Sequence, residues 1–277
     1  MVAIYIVSAI AIICGIYLFL IAPSGRKKQT AEFFEKNGIN YAHRGLHGNG
    51  VPENSLEAFR LAFENGYGME LDLHVTADDK LCVFHDGTLK RMCGVDGKVE
   101  ERTVEELRRI RLAGTEQYIP TFDEVLALVD GKTALIVEIK GENTNTRVCE
   151  LAAEALDKYK GAYCIESFNP AYVAWFKKHR PEVIRGQLSA RMGAKGKKPA
   201  IKLRNFALRH MLANVIARPD FLAYCINDKD IISFRLSRAM GGYPVGWTAR
   251  TDADMQKAKG DFKAIIFENV KAEEFEL

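Results

Sequence analysis

Only five residues, Thr-Ala-Asp-Asp-Lys, separate Val75 from Leu81 and thus two strand-like runs, MELDLHV and LCVFH. Parallel neighbours need a crossover of about a dozen residues or more, so these two runs are predicted to form an antiparallel hairpin. The other strand-like runs, INYAH, ALIVEIK, AYCIES, VIRGQL, FLAYCI, PVGWT and KAIIFEN, are each preceded or followed by a stretch with helical patterning. That alternation predicts a parallel sheet with crossover helices. Removing the returning hairpin strand leaves eight strands, and the roughly 250 residues involved match one eight-stranded α/β barrel rather than two domains. A register with Val75 opposite Lys80 would bring Glu70 opposite His85.

Ahead of this region, Val2 to Pro23 reads VAIYIVSAIAIICGIYLFLIAP with no charged residue. Its length, at about 1.5 Å per residue, suffices to cross a hydrocarbon core of about 30 Å. Nothing basic precedes the run and Arg26, Lys27 and Lys28 follow it, which favours an uncleaved transmembrane helix over a signal peptide. The positive-inside rule then predicts a single-pass membrane protein with its N-terminus outside and its main domain cytoplasmic. The expected organisation is an anchor over 1–24, a juxtamembrane linker or helix over 25–38 and a barrel over 39–277.

The remaining composition is that of a globular chain, with 48% hydrophobic and 27% charged residues. A net charge of +3 is too small to argue for nucleic acid as a partner. The six cysteines are scattered without a C-x-x-C pair, which argues against a zinc cluster and for reduced thiols.

Helix starts are marked by Asn54 with Glu57, Thr103 with Glu106 and Thr121 with Glu124, each at N-cap and N3 spacing. His43 and Arg44 therefore stand at the C-terminal end of the first strand, the face on which barrels of this kind carry their active sites. In MELDLHV the two-residue period aligns Glu70, Asp72 and His74 on one face, and in IVEIK it aligns Glu138 with Lys140. Unpaired buried charge is costly, so these groups need a partner. One divalent cation, Mg²⁺ or Ca²⁺, held by Glu70, Asp72 and Glu138 satisfies them; a salt-bridge set with Arg44 and Lys140 is the alternative. The hairpin returns His85 and Asp86 to the same region. Two histidines, a cation site and two basic side chains suit phosphodiester cleavage, with one imidazole taking a proton and the other giving one.

Seven stretches in order, AHRG, PENSLEAF, ELDLHVTADDKLCVFHDGTLKR, IPTFDEVL, VEIKG, ESFNP and GWTAR, resemble the glycerophosphodiester phosphodiesterases over roughly Asn40 to Asn269. The resemblance implies a TIM-type (β/α)8 barrel, here with an added β-hairpin strand and one N-terminal transmembrane helix before it. It implies His43 and His85 as the acid/base pair, Glu70, Asp72 and Glu138 as metal ligands, and Arg44 and Lys140 as phosphate contacts. Glu53 and Asp86 resemble residues that orient their neighbours, and Trp247 resembles a pocket tryptophan or else a packing residue. The family's WTV reads WTA here, so Ala249 alters expected pocket size. His74 is expected to pack or support rather than ligate, and His179 and His210 to lie at the surface.

The implied reaction is hydrolysis of a glycerophosphodiester to sn-glycerol 3-phosphate and an alcohol. The alternatives are a lysophospholipase D-type activity on lysophospholipids and a catalytically silent, membrane-bound glycerophosphate-binding protein. Between Glu182 and Asp220 no acidic residue occurs, while the segment 191–209 carries Arg191, Lys195, Lys197, Lys198, Lys202, Arg204 and Arg209. This segment either touches anionic lipid near the barrel mouth or is an ordinary barrel helix behind a solvated basic loop.

Overall fold

The computed structural model describes residues 1–141, 145–193 and 198–269. Two helices come first, α1 (Val2–Ile21) and α2 (Lys27–Asn37). The chain then alternates as the sequence predicts: β1 (Asn40–Ala42), α3 (Leu56–Glu64), β2 (Gly68–Val75) and β3 (Leu81–Val83). A loop region with α4 (Lys90–Cys93) and α5 (Val104–Arg108) leads to α6 (Phe122–Val129), β4 (Leu135–Ile139), α7 (Arg147–Leu156), β5 (Tyr163–Ser167) and α8 (Pro170–His179). The last third holds β6 (Arg185–Ser189), α9 (Pro199–Arg209), α10 (Asn214–Ala217), β7 (Phe221–Cys225), α11 (Ile232–Ala239), β8 (Tyr243–Ala249), α12 (Asp252–Ala258) and β9 (Ala264–Phe267).

Eight strands run parallel, and the pairing of β1 with both β2 and β9 closes them into a barrel. The ninth, β3, is antiparallel to β2, as its short connection requires. Its register differs from the expected one by a residue: Val75 opposes Leu81 rather than Lys80. The cause is the turn. Thr76 N–H donates to Lys80 O at 2.8 Å and Asp79 adopts φ 58°, so Thr76 and Lys80 pair and only three residues form the loop. A one-residue shift swaps faces. Leu81 and Val83 consequently join the main core, while Cys82 and Phe84 pack into a small cluster with Leu89, Val99 and Leu107.

Thr103 and Thr121 form capping boxes with Glu106 and Glu124. The first helix starts one residue later than its spacing predicts. Ser55 caps α3 by accepting from Ala58 N–H, because Asn54 is turned away to donate to Asp72 Oδ2 at 2.7 Å.

The barrel's base is closed from below. Phe34 of α2 stacks on Tyr243 at 4.7 Å and meets Phe221 and Tyr41 edge-on, so the segment after the apolar helix is part of the barrel's packing. Gly68 admits the Tyr41 ring, which a Cβ there would meet at 2.5 Å. Above this apolar layer the inward positions become acidic. Ile136 precedes Glu138 and Cys164 precedes Glu166 by the two-residue strand period, which sets carboxylates over the plug at the C-terminal half of the barrel.

Candidate active site at the C-terminal mouth of the barrel

The loop after β1 is built on two left-handed residues, Arg44 at φ 55° and Gly45 at φ 78°. They fold the chain so closely over α3 that a Cβ on Gly45 would lie 2.7 Å from the Ala58 backbone carbon. Gly45→Ala is expected to cost about 2 kcal/mol through strain and that clash. Thermal denaturation measures it, and an unchanged melting temperature would show that the loop and α3 can separate.

This turn fixes His43 and Arg44. Arg44 N–H donates to Glu70 Oε2 at 3.0 Å, its Nη1 donates to Glu53 Oε1 at 2.7 Å, and its Nε stands 3.5 Å from Asp72 Oδ2. His43 Nδ1 shares a 2.6 Å hydrogen bond with Glu268 Oε2, and its Nε2 is 3.9 Å from Glu70. Glu268, just after β9, also faces His47 at 3.7 Å and accepts from Arg250 Nε. On the hairpin side, His85 Nδ1 shares a 2.6 Å hydrogen bond with Asp86 Oδ1. Arg91 of α4 joins the two supporting acids, donating to Asp86 Oδ2 at 2.6 Å and to Glu53 Oε1 at 2.6 Å. Glu53 and Asp86 thus hold Arg44 and His85, and one arginine locks both. His74 Nε2 lies 3.2 Å from the His85 carbonyl oxygen, a supporting contact.

Lys140 bridges the acids, with Nζ at 2.8 Å from both Asp72 Oδ1 and Glu138 Oε2. Against the effect of burial, Asp72 and Glu138 hold the Lys140 ammonium above its ordinary value. Burial also opposes the charge on Asp72, but Lys140, His85 and Arg44 keep that carboxyl well below its usual range. Glu70 and Glu166 go the other way, raised mainly by burial and then by neighbouring carboxylates. Burial pushes Glu138 up to about 7. His43 is lowered to about 4 by burial, with Glu268 pulling in the opposite direction. Burial also lowers His85. Glu268 is held low, despite burial, by His43, His47 and Arg250.

Glu70, Glu138 and Glu166 form a buried group whose ligand oxygens all lie within 4.8 Å of one another. The set is all carboxylate, and Glu166 Oε2 is buried without a hydrogen-bond partner. Both observations fit a hard divalent cation. Asp72 stands beside this group, engaged by Lys140 and Asn54. A cavity of ≈ 310 Å³ opens here, lined by His85, Glu138, Lys140 and Arg204 on its polar side and by Phe168 and Leu208 on its apolar side. Trp247 packs edge-on against Phe168 at 5.5 Å.

Three participants are absent from the sequence expectation: Glu166, Glu268 and Arg91. Glu166 carried a usable signal, a lone carboxylate on the inward period of an apolar strand. Glu268 follows an apolar run near the last described residues with no polar motif around it. Arg91 acts through the reach of its side chain, which no periodicity announces.

Residues 43–272 match the Glycerophosphoryl diester phosphodiesterase family. A glycerophosphodiester phosphodiesterase of Caldanaerobacter subterraneus is 32% identical over 197 residues, covering 66% of this chain and 79% of that protein. One from Bacillus altitudinis is 32% identical over 155 residues, 52% of this chain, and the match spans 63% of that relative's length, just under two thirds. Among solved structures, an Oleispira antarctica phosphodiesterase in complex with the product sn-glycerol-3-phosphate aligns with a TM-score of 0.70 over 85% of this chain and 94% of that one. At 21% identity it establishes the barrel fold.

Proposed function

The chain belongs to the glycerophosphoryl diester phosphodiesterase family, and from that premise we propose that it hydrolyses glycerophosphodiesters to sn-glycerol 3-phosphate and an alcohol at the mouth just described. The observation that carries the reading is a buried group of acids with a carboxylate-oriented imidazole on either side: His43, beside Glu70 with Arg44, and His85, which lines the cavity with Glu138 and Lys140.

Glu70, Asp72 and Glu138, with Glu166 in reach, are the residues that would hold a divalent cation, Mg²⁺ or Ca²⁺. When bound, the cation offsets phosphate charge as a Lewis acid. Lys140, which lines the cavity, and Arg44 would steady the anionic phosphate oxygens as charge builds on them. Glu268 accepts the Nδ1 proton of His43 and so leaves Nε2 as the free base. His43, mostly buried and neutral at ordinary pH, takes the proton of the attacking hydroxyl, from water or from the glycerol's own neighbouring carbon. His85, at the more open rim beside Asp86, gives a proton to the leaving alcohol oxygen as its bond to phosphorus breaks. The apolar wall of Phe168 and Leu208 favours a second substrate class, lysophospholipids, through the same chemistry. Comparing kcat/KM for glycerophosphocholine and a lysophospholipid ranks the two.

Glu268 acts through His43 rather than on substrate. Glu268→Gln is expected to lower kcat roughly 10-fold to 100-fold with little change in KM. Because the carboxylate raises the His43 pKa, its loss should move the pH limb owed to His43 to lower pH. Glu268→Asp should recover part of the rate. An unshifted limb would reduce Glu268 to packing.

The apolar helix α1 is long enough to cross a membrane. We infer that it is a retained anchor with the barrel on the cytoplasmic side, because Arg26, Lys27 and Lys28 follow the helix directly.

A further inference from the structure

We propose that the flank of the barrel made by α9, α10 and α11 lies on an anionic bilayer surface and, with the docked end of α1, holds the mouth of the site at the lipid headgroups. This rests on the reading of α1 as a retained anchor and goes beyond it, because a tether alone leaves the barrel free to tumble.

The end of α1 is seated on this flank by specific contacts. Arg218, just after α10, donates from Nη1 to the carbonyls of Phe19 and Ala22 at 2.8 and 3.0 Å and lies 4.4 Å over the Phe19 ring. Asn214 of α10 and Ser237 of α11 both donate to the Ile21 carbonyl at 2.9 Å. Both side chains and Ile21 itself are fully buried. The helix's last carbonyls, which a helix end leaves without partners, are therefore satisfied by two barrel helices. Beyond them Ser24 Oγ and Arg26 Nη1 bind Asp220 at 2.5 and 3.4 Å, so the chain is fixed until α2 begins. Residues 2–16 are exposed, and Tyr17 is the first residue of α1 to pack on the barrel.

The apolar surface has the same location. Outside Met1 and α1, the exposed large hydrophobic residues among those described are Val95 and a set confined to this flank: Leu203 and Phe206 on α9, Ile216 on α10, Ile232 on α11 and Met240 just after it. These lie in the β6–β7 and β7–β8 connections, the two neighbouring segments that grip α1. Exposed Lys198 and Lys202 stand among them, with Arg235 paired to Asp230 at 3.0 Å. No acid occurs from Val183 to Pro219. Apolar side chains rimmed by Lys and Arg and continuous with a spanning helix match the boundary between acyl chains and anionic headgroups. The inner side of the same α9 supplies Arg204 and Leu208 to the cavity. Seating the flank therefore sets one rim of the mouth at the bilayer.

The test uses the full chain in vesicles of phosphatidylcholine with or without phosphatidylglycerol, doped with a lipid carrying a photoreactive diazirine near its headgroup, and maps adducts by mass spectrometry. Adducts are expected on 198–217 and 231–240 as well as on α1, increased by phosphatidylglycerol. Leu203→Glu with Phe206→Glu, two residues outside the cavity lining, should reduce the α9 adducts about fivefold or more and leave those on α1. Adducts on α1 alone, or centred on the base around Lys36, Lys132 and Lys160, would overturn the proposal. So would a flank free of lipid adducts but cross-linked to another protein. Release of the chain by alkaline carbonate would instead mark failure of the anchor reading itself.

Discussion

His43→Ala is expected to lower kcat for a glycerophosphodiester by about 10² to 10⁴, the range in which a positioned general base contributes. The loss should fall on kcat rather than on KM, because His43 is argued to act in the transition state and Arg44 and Lys140 remain to bind phosphate. His85→Ala should be comparable for substrates with a poor leaving alcohol. It should be rescued in part when the alcohol is replaced by a good leaving group, since proton donation then matters less. His43→Ala should gain nothing from that replacement. The same rescue in both variants would contradict the division of roles, and loss of neither activity would place the chemistry elsewhere in the barrel.

The second large effect concerns the cation. In the metal-free protein Glu138 is raised from its ordinary value of 4.5 to about 7 by burial. The fold therefore binds that proton more tightly than the unfolded chain does. The stability this contributes is fully present below the ordinary carboxyl value and is lost as pH rises through about 7. Glu70 and Glu166 are displaced in the same direction. A divalent cation takes the charged forms, so its binding should release protons and should stabilise more as pH climbs through the same window. At about a hundredfold excess over Kd, the melting temperature should rise by roughly 5–10 °C. At neutral pH without metal, Glu70→Gln should melt above the parent, because the fold no longer has to protonate a carboxyl that is ionised in the unfolded chain, and should lose the metal-induced shift. A Glu70→Gln protein that still gained several degrees from Mg²⁺ or Ca²⁺ would show that the cation sits at another group.

Much of this arrangement was legible in the residues because it follows from short-range rules. Strand period put Glu70 with Asp72 and Glu138 with Lys140 on inward faces, and the length of the Thr76–Lys80 connection forced a hairpin. What eluded the sequence depends on contacts that no local rule contains. The hairpin register turned on the left-handed backbone of Asp79, and the α3 cap turned on Asp72 claiming Asn54 from a neighbouring strand. Glu268 reaches His43 only because β9 closes the barrel against β1. The seating of α1 is of the same kind: hydropathy finds the helix, but the pairing of Ile21 with Asn214 and Ser237 exists only in the folded chain. Of the basic segment, residues 194–197, including Lys195 and Lys197, lie outside the described residues. Its helix α9 buries Leu208 and exposes Leu203 and Phe206, so it is both a barrel-packing helix and an apolar surface.

This mouth is proposed to cleave a glycerophosphodiester with a divalent cation in place. The most direct test is phosphorus NMR of glycerophosphocholine incubated with the full-length chain in detergent, with Mg²⁺, with Ca²⁺ and with EDTA, beside His43→Ala. sn-Glycerol 3-phosphate is expected, directly or through a cyclic phosphate, in at least one metal condition and in neither the EDTA nor the His43→Ala sample. An unchanged spectrum from a folded protein that binds the cation, repeated with glycerophosphoethanolamine and a lysophospholipid, would contradict it and leave a barrel that binds glycerophosphate without turning it over.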